Sequence, residues 1–207
     1  MNTLVKQTFA VGVLSSMFIA PSFAQPSEQP DQFVKRVADS FIERLKADKE
    51  KLKTNPNHVK VIVRENIDPY IDAQGFARTV MGRYATQQYS TPAQRAAFTK
   101  TFREELINSY GSALAKYTNQ TYKLRKYTPP AEGKSPTVTL DFINNADKIP
   151  VTFYLVEQKD QWKIRNLSVA GVNLGVQFHN QFAATMQRHG NDFDKAAANF
   201  SPDAEKK

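Results

Sequence analysis

The hydrophobic period of the chain changes once, near Asn119, and that change limits the fold more than any other feature. Before it, apolar residues recur every three or four positions, as in a helix that buries one stripe. After it they alternate, as in a strand that buries one face. Val34, Val37, Phe41 and Leu45, widened by Ala38 and Ile42, predict an amphipathic helix from Asp31. Asn55-Pro56 reads as an N-cap followed by Pro in the first turn, opening a short helix that turns Val59, Ile62 and Val63 inward and stops near Asp68-Pro69. A third helix is expected from roughly Ala73 to Tyr84. Thr91-Pro92-Ala93-Gln94 is a capping-box sequence. It precedes the longest stripe, Phe98, Phe102, Leu106, Tyr110, Ala113, Leu114 and Tyr117.

Beyond the switch, Tyr122 and Leu124, then Val138, Leu140 and Phe142, then Val151, Phe153 and Leu155, and finally Trp162 and Ile164 predict successive strands. Turn chemistry separates them at 129–133, 144–147 and Lys159-Asp160. Leu174, Phe178, Phe182 and Met186 return to a helical period, as do Phe193, Ala197 and Phe200, with Gly190 placed as a C-cap between them. Helices, a meander and closing helices predict an α+β domain: a curved antiparallel sheet of about four strands with helices packed over one face.

The first 24 residues read as an export address rather than as structure. Lys6 is followed by an apolar and small-residue run over 8–20 and by the small-x-small site Ser22-Phe23-Ala24. The run is shorter than the roughly 20 apolar residues of a membrane span. Cleavage after Ala24 is expected, leaving 25–207 as a single exported, soluble domain; an uncleaved anchor is the alternative. Without Lys6 the chain has 27 basic residues against 20 acidic, a net charge of +7. For an exported chain that excess suits anionic headgroups, an acidic protein face or plain solubility, and nucleic acid is not an expected partner.

Catalytic chemistry finds little to stand on. There is no Cys, which removes disulfides, thiolate zinc sites, iron–sulfur clusters and Cys nucleophiles together. His58, His179 and His189 are too dispersed to suggest a metal cluster. Glycine phosphate loops, Gly-x-Ser-x-Gly and His-Glu-x-x-His are all missing. The acidic pairs Glu104-Glu105 and Asp192 with Asp194 do not share a helix face, so no catalytic residue is assigned. The aromatic helices and the apolar side of the sheet form either ordinary core or the walls of a ligand cavity, and pattern alone leaves both open.

Ile67-Asp68-Pro69-Tyr70, Met81-Gly82-Arg83-Tyr84, Ser90-Thr91-Pro92-Ala93-Gln94-Arg95, Phe98 and Phe102-Arg103 stand in order along the helical part of the chain. Tyr110-Gly111-Ser112-Ala113-Leu114, Gln120-Thr121-Tyr122, Trp162-Lys163-Ile164, Val169-Ala170-Gly171-Val172-Asn173-Leu174 and Gln181-Phe182 continue the series. Together these segments resemble the MlaC family, the toluene-tolerance group of periplasmic phospholipid-binding proteins of Gram-negative bacteria, from about Phe33 to Phe200. Asn173 and His179 depart from it, at positions expected to bear on headgroup contacts.

The resemblance implies a phospholipid carrier, not an enzyme, with lipid as cargo and no cofactor. Its expected partners are an outer-membrane lipoprotein–porin complex and an inner-membrane ABC transporter with a lipid-binding ring; the carrier itself is expected to be a monomer. Its role would be to maintain outer-membrane lipid asymmetry. Carrying a diacyl lipid through water means covering roughly 30 methylenes at about 0.8 kcal/mol each, which calls for an apolar pocket enclosed by the helices and the sheet. The residues assigned to the acyl tails are Val80, Met81, Tyr84, Phe98, Phe102 and Leu106 from the helices. The strands add Leu140, Val151, Phe153, Leu155 and Trp162, and the closing segment adds Val172, Leu174 and Phe178, with Val172 beside Gly171 at the mouth. An enzyme in a cone-shaped fold acting on a small hydrophobic substrate, marked by a buried acid facing the pocket, and a partner-binding module with a solid core are the competing readings.

Overall fold

The computed structural model describes residues 28–114, 121–144 and 147–202. The export leader expected at 1–24, Tyr117 of the long stripe, part of the turn at 144–147 and the tail beyond Pro202 lie outside the described residues. Helix α1 (Pro30–Ala47) buries Phe33, Val34, Val37, Phe41, Ile42 and Leu45, the anticipated stripe. A short helix α2 (Lys49–Thr54), not anticipated, follows directly.

Helix α3 (His58–Asn66) begins later than Asn55-Pro56 suggested. Asn55 does not cap it: its side-chain oxygen accepts from the Asn57 amide at 3.1 Å and its carbonyl from His58 at 2.9 Å. Asn55 therefore makes a local turn of its own, and Pro56 belongs to that turn. After a 3-10 turn at Asp68–Tyr70, helix α4 (Ala73–Met81) is capped by the Asp72 carboxylate, which accepts from the Gly75 amide at 2.9 Å. It ends short of Tyr84 because Gly82 takes φ +53°, which L side chains avoid, and a 3-10 turn (Gly82–Ala85) carries the chain on. Helix α5 (Pro92–Leu114) opens on the expected capping box: the Gln94 amide donates to Thr91 Oγ1 at 3.2 Å, and the Thr91 amide donates to Gln94 Oε1 at 2.8 Å.

The sheet is an antiparallel meander in chain order: β1 (Thr121–Leu124), β2 (Thr137–Asn144), β3 (Asp147–Gln158), β4 (Gln161–Val169) and β5 (Val172–Asn173). The alternation predicted four of these; two residues of β5 are too few to show a period. Helices α6 (Leu174–Arg188) and α7 (Phe193–Ala198) close the fold, N-capped by Asn173 and Asp192. Between them Gly190, at φ +64°, lies just past the C-cap residue His189, as expected of it.

Register sorts the side chains of the sheet, since directly paired residues share a face. Tyr122 pairs with Phe142, Leu124 with Leu140, Val138 with Phe153, Leu140 with Val151, Phe142 with Ile149, Val151 with Val169 and Phe153 with Leu167, giving one apolar face. Thr139 pairs with Thr152, and Asp141 with Pro150, on the other. On that polar face Asp141 is buried under Arg125 (2.7 Å) and Lys148 (2.9 Å).

The interior divides into separate clusters. Helices α4 to α7 surround an aromatic one in which Phe76, Phe98, Phe102, Phe178 and Phe182 meet with ring centroids 4.8–6.3 Å apart. A second joins α1 to the sheet through Phe33, Val34, Val37, Val138, Leu140, Leu155 and Ile164. A third, around Leu45, Val59, Ile62 and Ile107, ties α1, α3 and α5. No helix among the described residues is long and apolar enough to cross a membrane.

Candidate functional site

The apolar face of the sheet is closed at one end and half open at the other. Under α1, Val138, Leu140, Leu155 and Ile164 are almost wholly shielded from water. Farther along the same strands, Phe142, Ile149, Val151, Phe153, Leu167 and Val169 are only half-buried. The band ends on β5 and the first turn of α6, where Val172 is 51% exposed and Val176 56%. Val172 pairs with Val169 and so extends the half-covered apolar face to an edge open to water. Leu174, between Val172 and Val176, lies at the margin of the aromatic cluster, as do Leu106 and Tyr110 of α5.

The fourteen side chains assigned to the tails distribute unevenly over this geometry. Val80, Met81, Tyr84, Phe98, Phe102 and Phe178 are buried in the aromatic cluster, with Leu106 and Leu174 at its edge. Leu140 and Leu155 sit under α1, with Phe153 and Trp162 packed half-buried against the same cluster. Trp162 donates its indole N–H to the Glu28 carbonyl at 2.8 Å, tying the segment before α1 to the sheet. Val151 belongs to the half-open band and Val172 to its rim. Phe142, Ile149, Leu167, Val169 and Val176 were not on the list. Phe142 and Ile149 continue the period-2 alternation, which was the available signal; Leu167 and Val169 fall out of phase with Trp162 and Ile164 because a bulge shifts the register between them.

Asn173 and His179 have local structural partners. Asn173 caps α6 by accepting from the Val176 amide at 3.1 Å and is itself held by Asn166 Nδ2 at 2.8 Å. His179 Nδ1 meets the Val80 carbonyl at 3.1 Å, with the ring laid against Gly82.

The buried carboxylates are all neutralised. Asp48 accepts from His58 (2.8 Å), Lys51 (3.0 Å) and Arg44 (2.7 Å), which hold it well below the usual carboxylate range. Burial pushes Asp72 upward, but the Gly75 amide and Arg165 outweigh it and leave its pKa lowered. Arg125, with Lys148, brings Asp141 down to about 2. A carboxyl held this low is a weak general base at neutral pH. Three of the four acidic residues noted in the sequence are also engaged: Glu104 pairs with Arg64, Asp192 caps α7, and Asp194 accepts from Gln94 at 2.8 Å. Among the described residues no three His, Cys, Asp or Glu side chains gather as a metal ion would require.

Apart from the apolar band there is an open polar groove of about 540 Å³ between α4 and the β3–β4 hairpin, lined by Asp72, Gln74, Gly75, Arg78, Thr79, Gln158 and Arg165. Its floor depends on Gly75: a Cβ there would lie 2.0 Å from Asp72 Oδ2 and 2.7 Å from Arg165 Nε, so only glycine leaves room for that ion pair.

Comparison with known proteins places this geometry. The fold matches a phospholipid-binding protein from Ralstonia solanacearum, solved in complex with a phospholipid, with a TM-score of 0.72 over 84% of this chain and 99% of that one; at 23% identity the likeness is one of fold. The toluene tolerance protein ttg2D of Pseudomonas putida is 34% identical over 191 residues, 89% of this chain and 85% of that protein. The intermembrane phospholipid transport system binding protein MlaC of Haemophilus influenzae is 25% identical over 161 residues, 76% of this chain and 74% of that one. The MlaC protein family model matches residues 35–201, and the chain belongs to the MlaC family.

Proposed function

We propose that this chain is a periplasmic phospholipid carrier, exported by a leader removed after Ala24 and working as a monomeric single domain over 25–207. It takes phospholipid as cargo, makes and breaks no bonds, and needs no cofactor. It shuttles lipid between an outer-membrane lipoprotein–porin complex and an inner-membrane ABC transporter with a lipid-binding ring, preserving outer-membrane lipid asymmetry. The observation that carries this reading is the half-open band of the sheet, from Phe153 to the bared Val172 and Val176. Acyl chains laid along it cover apolar surface of both lipid and protein. At about 0.8 kcal/mol per methylene, roughly 30 methylenes come to on the order of 20 kcal/mol of avoided hydration. Relatives named for phospholipid binding and intermembrane transport support the same reading.

Native mass spectrometry of the full chain purified from a periplasmic extract tests it. About one phospholipid per chain is expected. Val172→Asp, at an exposed rim position, is expected to lower that occupancy with little change in melting temperature, and Phe153→Asp to abolish it. A wild-type chain without lipid, or full occupancy in both variants, overturns the reading.

A further inference from the structure

The polar groove beside α4 is a second surface, and its chemistry differs from that of the apolar band. Gln74, Gly75 and Arg78 lie on one face of α4, three and four residues apart. Gln158 at the end of β3 and Arg165 on β4 face them across the groove. Asp72, 5% exposed, supplies the acid in the lining, and its charge is already met by Arg165 Nε at 2.8 Å and the Gly75 amide at 2.9 Å. Arg165 keeps its two terminal nitrogens beyond that bond. Arg78 is exposed, and its side chain makes no hydrogen bond or ion pair among the described residues. The lining therefore presents the Arg78 guanidinium, the terminal nitrogens of Arg165 and the Gln74 amide around an acid already met by Arg165, Gly75 and Gln158.

Guanidinium forks match carboxylates two bonds at a time, which is why arginine rather than lysine marks sites that read planar acids. We propose that this groove is a docking site for an acidic segment of a partner protein, whose Asp or Glu carboxylates are taken by Arg78 and Arg165. An opening of about 540 Å³ admits several residues of extended peptide, and its openness to water suits a contact that forms and releases. Along β3 the groove is remote from the middle of the apolar band, Gln158 lying seven positions from Val151, roughly 23 Å at about 3.3 Å per residue. On β4 the two adjoin, Arg165 standing two residues from Leu167. Lipid occupancy and peptide binding are therefore read separately, and Arg78, on α4, is the residue whose replacement tests the groove alone.

The test is a 15N NMR titration of the full chain with a blocked hexaglutamate peptide at 50 mM salt. Saturable shifts centred on Gly75, Arg78, Gln158 and Arg165 are expected. Arg78→Glu is expected to weaken binding at least tenfold while leaving lipid occupancy unchanged. Lys100→Glu, the same charge change on α5 outside the groove, is expected to alter binding less than twofold. Shifts scattered evenly over the surface lysines, or equal losses in the two variants, overturn the proposal. Inorganic phosphate producing the same shifts with the same affinity overturns it in favour of a small-anion site. Binding to phosphatidylglycerol vesicles that Arg78→Glu abolishes, without peptide binding, overturns it in favour of a membrane contact.

Discussion

Replacing Gly82 by Ala tests how the helical wall of the site is held. Gly82 combines φ +53° with ψ −126°, and a Cβ there would lie 2.3 Å from His179 Cε1 and 2.7 Å from Nδ1. Forcing an L residue into such a conformation costs about 1–3 kcal/mol. Displacing the His179 ring also breaks its bond to the Val80 carbonyl, about 1 kcal/mol more. Together these predict a loss of about 2–4 kcal/mol in urea unfolding, or roughly 5–15 °C in melting temperature for a chain of this size. The clash and the backbone strain separate in a double-mutant cycle. His179→Ala removes the ring, so Gly82→Ala on that background is expected to cost at least about 1 kcal/mol less than on the wild type, with only the strain remaining. If Gly82→Ala costs under about 1 kcal/mol, or if the two substitutions add, the α4–α6 joint is not built on this contact.

Asp141 predicts how the sheet responds to acid. Arg125 and Lys148 hold it down to about 2, below an unfolded value of about 3.9, so its contribution is complete above pH 4 and fades as pH falls through 2. Asp141→Asn should cost about 1–2 kcal/mol at pH 7 and flatten that acid limb in urea titrations; an unchanged limb refutes the assignment. Removal of bound lipid should expose the band beside Val151 and Val169. With ligand at a hundred times its Kd, binding adds about 2.7 kcal/mol, so the stripped chain should melt roughly 5–10 °C lower and recover on adding phospholipid. Identical melting curves for the loaded and stripped chains would refute this.

Legibility along the chain followed the range of the interaction that decides each element. The Thr91–Gln94 box and the stripes of α1 and α6 are settled within one or two turns, and they stand where the pattern put them. Asn55-Pro56 failed because Asn has two local uses, capping a helix and closing a turn, and sequence spacing does not separate them. Gly82 ends α4 at φ +53°, although the helical spacing of Val80, Met81 and Tyr84 runs on through it, and that spacing hid the stop. In α2 only Leu52 is buried, so there was no stripe to find.

The candidate site divides by the same rule. Alternation identifies which residues share the apolar face of the sheet. It cannot tell Leu140, sealed under α1, from its partner Val151, left half-bare, because that difference is made by which strand α1 lies over. Polarity likewise marks Phe98 and Phe178 as interior without saying whether a ring meets another ring or a ligand. The polar groove was invisible for a stronger reason: its floor is an ion pair between Asp72 and Arg165, residues 93 apart, and its one local trace is a glycine inside α4 where an alanine would favour the helix. A Cβ at position 75 would collide with the Asp72–Arg165 pair, so the glycine that costs the helix about 1 kcal/mol leaves room for that pair. Arg78, three residues on and exposed, takes no part in the pair and can be replaced without disturbing it.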